Sequence, residues 1–223
     1  MKLHRVNRFE DLSLFTEDAS SGKTIGVFPG AFKPPHRGHF ATAASACSEC
    51  DEVNIIMSPK ERLLTQVSKD LGKPEKTKYG GLMDGGNTHN NIKSKVKIEV
   101  AEVDRLTSAS EMRASICDQS YGIDDMQTFQ RCMNDFLPDE LTPERQQQVI
   151  SSLHKARLDD TITPKEASSI WNIYIDQLKD LYKNVNIKFT MSDISPIADT
   201  YAFALKLFDE TQEQVTLRLY TGQ

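Results

Sequence analysis

The sequence predicts an α/β protein in which a parallel five-stranded sheet carries helices on both faces. Five short apolar runs have the length and side chains of buried strands: residues 25–28, 53–57, 96–103, 185–189 and 215–219. Helical segments separate several of these runs. Strands that alternate with helices favour a parallel sheet, because each parallel connection needs a crossover long enough to hold a helix.

Composition, capping residues and periodicity predict the helices. Residues 40–50 are rich in alanine and follow the first strand. Ser108 opens a Ser-x-x-Glu capping box, and Thr142 and Thr163 each precede a proline suited to the first helical position. The helix after Thr163 is amphipathic, and its apolar face is Ala167, Ile170, Trp171, Tyr174, Ile175, Leu178 and Leu181. Trp171 is therefore predicted to be a core residue.

Length and composition indicate one domain of ordinary size. The chain has 223 residues, a hydrophobic content of 38% and a net charge of −5. Residues 1–22 are polar and charged and are expected to form a leader, so that residues 23–223 are the domain. Residues 65–95 are rich in Lys, Gly and Asn and are predicted to be a mobile loop.

Charge and hydropathy argue against nucleic acid and membrane as partners. Proteins that bind nucleic acid usually present a basic face, whereas this chain is acidic. No apolar run approaches the ~20 residues that cross a membrane, and we expect a cytoplasmic protein. Cys47 and Cys50 have C-x-x-C spacing without a second ligand pair, which favours small helix-face side chains over a zinc site.

The most informative segment joins the first strand to the first helix. Residues 26–39 read Gly-Val-Phe-Pro-Gly-Ala-Phe-Lys-Pro-Pro-His-Arg-Gly-His. His36 and His39 share a helix face if both lie in the first turn, and the helix N-terminus adds partial positive charge. Imidazole N–H groups there can donate to phosphate oxygens, so we predict a nucleotide phosphate site. The alternatives are two surface histidines or half a metal site; no third ligand stands nearby, and no metal site is predicted.

Two further groups of residues are candidates for binding anions. Ser108 and Ser110 bring hydroxyls to a helix start, and Arg113, one turn further, can fork onto a phosphate. The alternative is a plain helix cap with a surface arginine. Ser58, Lys60 and Arg62 follow the second strand at the edge of the sheet where ligands bind, and they could bind an acceptor phosphate. Ser195-Pro196 could line the acceptor pocket. The alternative for these residues is a solvated loop.

These motifs resemble those of the nucleotidyltransferase superfamily. Residues 30–39 are similar to its G-x-F-x-P-x-H-x-G-H signature, and residues 108–113 to its S-x-[ST]-x-x-R signature. The Phe-Lys-Pro-Pro-His form resembles some nicotinamide-mononucleotide adenylyltransferases and a group of bacteriophage proteins, for which the location would be the host cytoplasm. The resemblance implies a Rossmann-like fold and transfer of a nucleoside monophosphate from ATP or CTP, with Mg²⁺, to a phosphorylated small-molecule acceptor.

The same resemblance implies a role for each matching residue. His36, His39 and Arg113 would be catalytic, with the histidines holding the nucleotide phosphates and the transition state. Contacts to the nucleotide would come from Phe28, Pro29, Gly30, Ala31, Phe32, Gly38, Ser108 and Ser110. Lys33 stands where many members have Asp or Gln, and it joins Ser58, Lys60 and Arg62 as a candidate for acceptor binding. Alternatives are a cytidylyltransferase acting on a phospho-alcohol and a nucleotide-binding module without turnover.

Segment order departs from the superfamily pattern. There, the S-x-[ST]-x-x-R helix follows the last strand, whereas here residues 96–113 precede two further strands. Residues 157–166 resemble the usual continuation of residues 58–62. Three interpretations stay open: a permuted chain that closes the same sheet, an exchange of segments within a homo-oligomer, or impaired activity because the chain stops at Gln223.

Overall fold

The computed structural model describes residues 22–65, 96–103 and 106–222. The larger strands are β1 (Lys23–Gly30), β2 (Glu52–Met57), β4 (Val96–Val103), β6 (Asn186–Met191) and β7 (Val215–Gly222), and the two short ones are β3 (Arg62–Leu63) and β5 (Thr161–Ile162). The helices are α1 (Arg37–Glu49), α2 (Ala109–Ile116), α3 (Met126–Asn134), α4 (Pro143–Leu158), α5 (Pro164–Leu181) and α6 (Pro196–Glu210). The predicted leader and the predicted loop lie outside the described residues, apart from Gly22 and Thr65.

The five larger strands form one parallel sheet in the order β4-β7-β1-β2-β6. Gly30 of β1 lies opposite Met57 of β2, which lies opposite Met191 of β6. The carboxyl ends of these strands therefore meet at one edge of the sheet. The structure confirms the predicted Rossmann-like α/β fold.

Helices cover both faces of the sheet, as predicted. On one face, α1 packs on β1, β2 and β7, and α2 to α5 join it around a core that includes Trp171 and Tyr174. On the other face, α6 packs on β1 and β2 around Val27, Leu217 and Leu219. Trp171 is fully buried, in agreement with its prediction as a core residue.

Strand β4 precedes β6 and β7 in the chain, yet it lies at the edge of the sheet beside β7. One chain thus supplies all five strands in permuted order, and the sheet needs no strand from a second copy. A small antiparallel pair, β3 with β5, places Arg62 opposite Ile162. This pair brings together residues 58–62 and 157–166, the two segments that the resemblance suggests are continuous. The two ends of the intervening segment therefore lie side by side. A homo-oligomer stays a prediction.

Local capping signals predicted three helix starts correctly. Ser108, Thr142 and Thr163 are the N-caps of α2, α4 and α5, and each side-chain oxygen accepts a backbone N–H. Leu181, however, was wrongly assigned to the apolar face of α5; it is 51% exposed, because it is the last residue of that helix and lies past the core. Helices α3 and α6 and the β3–β5 pair were not predicted.

No helix in the described residues combines the length and the apolar character needed to span a bilayer.

Glu52 joins three strands at the edge of the sheet opposite the carboxyl ends. Its buried carboxylate accepts hydrogen bonds from Lys23 at 2.9 Å and from Lys188 at 2.7 Å, as well as from Asn54 and Asn186. Burial acts to raise the pKa of Glu52, but the hydrogen bonds from Lys188, Lys23 and Asn54 outweigh it and lower that pKa from 4.5 to about 2. The ionised carboxylate therefore stabilises the folded state.

We expect Glu52→Gln to lower the free energy of unfolding at pH 7 by about 1–3 kcal/mol, because it removes charge-assisted hydrogen bonds from a buried site. A carboxylate whose pKa is lowered by folding contributes fully above pH 4.5, and its contribution is lost as the pH falls towards 2. Urea unfolding at pH 7, 4 and 3 should show the free energies of unfolding of the two proteins converging as the pH falls. Glu140→Gln, at an exposed carboxylate, is the control. A difference that stays constant with pH would contradict the role of the charge.

Candidate functional site

A cleft of about 390 Å³ opens at the carboxyl edge of the sheet. Its lining residues are Phe28, Pro29, Gly30, Ala31, Phe32, Lys33, His39, Ser58, Arg62, Ala109, Ser195, Pro196 and Ile197. They come from the end of β1 and the turn after it, the first turn of α1, the segment after β2 and the starts of α2 and α6. The strand order reverses around β1, and in open α/β sheets such a point is where ligands bind.

Two histidines cap the N-terminus of α1. His36 is the N-cap residue, and its Nδ1 accepts a hydrogen bond from the N–H of Gly38 at 3.1 Å. Nδ1 of His39 in turn accepts the N–H of His36 at 3.2 Å. The two rings stack with their centroids 3.6 Å apart and their planes inclined by 26°. This is a capping box in which imidazoles replace the usual hydroxyl and carboxylate.

The capping bonds also fix the chemistry of the rings. A nitrogen that accepts a hydrogen bond carries no proton, so a neutral imidazole bonded through Nδ1 has its proton on Nε2. Both His36 and His39 are thereby held in the tautomer with Nε2 as donor. His39 lines the cleft, whereas His36 is buried behind it. The cleft therefore has the imidazole of His39 at a helix N-terminus, with Nε2 as its donor, which suits a phosphate group.

Gly30 and Phe32 fix the shape of the turn that precedes these histidines. A Cβ on Gly30 would overlap with the ring of Phe32, so this position admits only glycine without displacing the ring. Phe32 has a φ of 51°, which is costly for a bulky side chain and persists only where packing holds it. Its ring meets His39 and Trp171 edge-on, each with centroids 5.0 Å apart. The core thus supports the cleft histidine through Phe32.

Arg113 reaches the same turn from α2. Its guanidinium donates through Nη1 to the carbonyl oxygen of Lys33 at 2.8 Å and through Nη2 to Oγ of Ser110 at 3.0 Å. Arg113 is only 1% exposed, and burial and the nearby charge of Arg62 lower its pKa. Ser108 is also buried, and its hydroxyl caps α2. The second motif therefore meets the first within one chain, while Arg113 lies behind the cleft lining.

Lys33 directs its side chain to the other side of the turn. Its Nζ donates to the carbonyl oxygen of Ser58 at 2.6 Å, and the residue is 2% exposed. Burial and the positive charge of Arg62 lower the pKa of Lys33 to about 8. Ser58 and Arg62 also line the cleft, but Lys60 is exposed and does not.

Two parts of the lining were not predicted from the sequence. Ala109 lines the cleft because it follows the N-cap Ser108, a position that the capping box could have indicated. Ile197 belongs to the first turn of α6, a helix that was not predicted. The Ser195-Pro196 pair, which was proposed as pocket lining, is the N-cap and first residue of that helix.

The described residues of this arrangement form no cluster of metal ligands. In residues 22–65, 96–103 and 106–222, no cluster of three His, Cys, Asp or Glu side chains could hold a metal ion. Among the described residues, the cleft lining offers Mg²⁺ no carboxylate. The four cysteines are free, and Cys47 and Cys50 are buried.

Comparisons with known proteins give one partial similarity. Over 56 residues, or 25% of this chain, the sequence is 45% identical to the trifunctional NAD biosynthesis/regulator protein NadR of Escherichia coli (strain K12). The chain spans 13% of the length of that protein. No protein-family model matches the chain, and no solved structure matches it. With the Rossmann-like fold, this similarity is consistent with a nucleotide-binding protein of the nucleotidyltransferase type.

We expect Arg113→Met to lower the free energy of unfolding by about 1–3 kcal/mol, because it removes the hydrogen bonds to the buried carbonyl of Lys33 and to the hydroxyl of Ser110. Arg113→Lys should lose most of the same amount, since an ammonium keeps the charge but not the planar fork that reaches both acceptors. Urea unfolding measures the effect, with Arg131→Met as the control at an exposed arginine. Wild-type stability in Arg113→Lys would show that the charge alone matters.

Proposed function

We propose that this chain is a nucleotidyltransferase, which moves a nucleoside monophosphate from ATP or CTP to a phosphorylated small-molecule acceptor. The observation that carries the proposal is the pair of capping histidines, whose Nδ1 atoms are engaged by backbone N–H groups so that Nε2 is the donor. The cleft beside them lies at the carboxyl edge of a parallel sheet, where nucleotides bind in this class of fold.

In the proposed reaction, an oxygen of the acceptor phosphate attacks the α-phosphorus of the triphosphate. A new P–O bond forms, the bond from the α-phosphorus to the bridging oxygen breaks, and pyrophosphate leaves with the electron pair. Charge on the non-bridging α-oxygens is stabilised by the Nε2–H donor of His39, with His36 fixing its ring by stacking and by its capping bond. Backbone groups of residues 28–32 position the nucleotide. No protein nucleophile is needed, because the acceptor phosphate attacks directly.

Mg²⁺ would enter this site with its nucleotide. The part of the lining that the structure describes has no carboxylate, and the phosphate oxygens of the substrate are ligands that suit the ion. Its chemistry there would be to neutralise phosphate charge. The chain itself supplies the cationic and N–H groups around those phosphates.

The finer assignment that we propose is an adenylyltransferase of the nicotinamide-mononucleotide type. Its support is the Phe-Lys-Pro-Pro-His form of the first motif, together with similarity to a protein whose name describes it as an NAD biosynthesis and regulator protein. A cytidylyltransferase that acts on a phospho-alcohol is the second candidate, because the same histidine motif serves that class.

A pyrophosphate-release assay tests the proposal. The protein is incubated with Mg²⁺, ATP or CTP, and nicotinamide mononucleotide, glycerol 3-phosphate or phosphocholine. Pyrophosphate that depends on one nucleotide and one acceptor identifies the reaction. Nucleotide binding without release from any pair would favour a binding module. The single tryptophan, Trp171, contacts Phe32 in the turn and gives a fluorescence signal for binding that does not depend on turnover.

We expect His39→Asn to lower kcat by about 10²–10³-fold, which is the effect of losing one donor to a transition-state oxyanion. The asparagine Oδ1 can still accept the N–H of His36, so the helix cap and the fold should persist. Circular dichroism and Trp171 fluorescence verify folding. His154→Asn, at a half-buried histidine outside the cleft, is the matched control. Wild-type turnover in His39→Asn would remove this residue from the mechanism.

A further inference from the structure

Lys33 is a buried cation whose charge is not balanced by a carboxylate in the described residues. It is 2% exposed, and the carbonyl oxygen of Ser58 is its hydrogen-bond partner at 2.6 Å. An ammonium group has three N–H donors, so this bond leaves donor capacity at the wall of the cleft. Buried lysines are ordinarily paired with an acid, because removing an unpaired ammonium from water is costly.

A second cation lies close to Lys33. Arg62 lines the same cleft, and its positive charge acts on both Lys33 and Arg113. Like charges held near one another in a partly dry site oppose folding. An anion bound between the side chains of Lys33 and Arg62 would reverse that effect, because it converts repulsion between cations into two favourable contacts.

The side chains of Lys33 and Arg62, which we call the cation pair, lie apart from the histidines. The backbone of the turn is tied to the end of β2, where the N–H of Ser58 donates to the carbonyl of Gly30 at 3.0 Å. The Lys33 side chain follows that connection towards β2, whereas His39 projects from α1. The cleft thus has a cation, Lys33, on one side of the turn and an imidazole, His39, on the other. Two separate places for anions suit a reaction that joins two phosphorylated substrates, because in-line attack needs each phosphate to be held separately.

We propose that Lys33, together with Arg62, binds the phosphate of the acceptor and so restricts this protein to phosphorylated acceptors. The inference rests on the proposed function, and it assigns a specificity-determining role to a position where the resembling superfamily often has Asp or Gln. An acceptor without a phosphate would leave Lys33 buried and unbalanced. Its unphosphorylated alcohol is therefore disfavoured by electrostatics, and it also lacks the phosphate oxygen that attacks in the proposed reaction.

The protonation of Lys33 supports the same assignment. Burial and Arg62 lower the pKa of Lys33 to about 8 in the empty cleft. A bound anion stabilises the ammonium and raises that pKa again, so binding near pH 8 draws a proton from solution. Acceptor binding should weaken as the pH rises above 8, because the neutral amine no longer attracts the phosphate.

Steady-state kinetics test the proposal with Lys33→Gln, which keeps a donor for the Ser58 carbonyl but removes the charge. We expect the acceptor KM to rise at least about tenfold while the nucleotide KM changes less than about twofold. Lys183→Gln, at an exposed lysine outside the cleft lining, should match the wild type. A rise in the nucleotide KM alone would assign Lys33 to the triphosphate and overturn the proposal, as would unchanged values for both substrates.

A binding measurement separates this inference from the proposed function. Calorimetric titration with sulfate, which does not titrate near pH 8, is run in two buffers of different ionisation enthalpy. The wild type should take up as much as about half a proton per sulfate, whereas Lys33→Gln should bind about tenfold more weakly with no uptake. Equal sulfate binding by the two folded proteins overturns the proposal that Lys33 binds an anion. Sulfate binding that depends on Lys33, without pyrophosphate release from any substrate pair, retains that proposal and rejects the nucleotidyltransferase.

Discussion

The hydrogen bond from Arg113 to the carbonyl of Lys33 is the contact on which the site depends. It anchors the turn between β1 and α1 from one side, and the bond from the N–H of Ser58 to the carbonyl of Gly30 anchors it from the other. A peptide chain held at both ends of a short turn has few conformations left. Phe32 can then adopt its unfavourable positive φ, and its ring supports the cleft histidine. The buried guanidinium therefore acts on the cleft through the backbone.

The same atoms provide local structure and chemistry at the start of α1. Nδ1 of each histidine satisfies a backbone N–H that a helix N-terminus leaves without an intrahelical partner. These bonds simultaneously select the Nε2–H tautomer, which a phosphate requires. Alanine at His39 would remove the cap and the donor together, so its effect on turnover could not be assigned. Asparagine keeps an acceptor for the N–H of His36, but its shorter side chain carries no N–H at the position of Nε2, and it therefore separates the two roles.

Local signals explain what the sequence predicts well. The capping box at Ser108 and the proline after Thr163 fix helix starts through bonds within a few residues, and the apolar runs identify strands by their own composition. Burial of charged side chains follows from contacts distant in sequence. A motif places Arg113 one turn into a helix, but whether its guanidinium faces a ligand or a carbonyl 80 residues away depends on how α2 packs. The depressed pKa of Lys33 depends likewise on its neighbours in space.

Segment order matters less to this site than the edge at which a strand lies. The pairing of Arg62 with Ile162 brings together the two ends of the long segment between β3 and β5. The segment therefore does not separate β1 from β2 in the sheet. That segment contains β4, which pairs with β7, and α2, which begins at the carboxyl edge of the sheet. The free energy of closing a loop grows only with the logarithm of its length, so an insertion of this kind is tolerated. Arg113 can therefore reach the histidine turn from the middle of the chain as effectively as from its end.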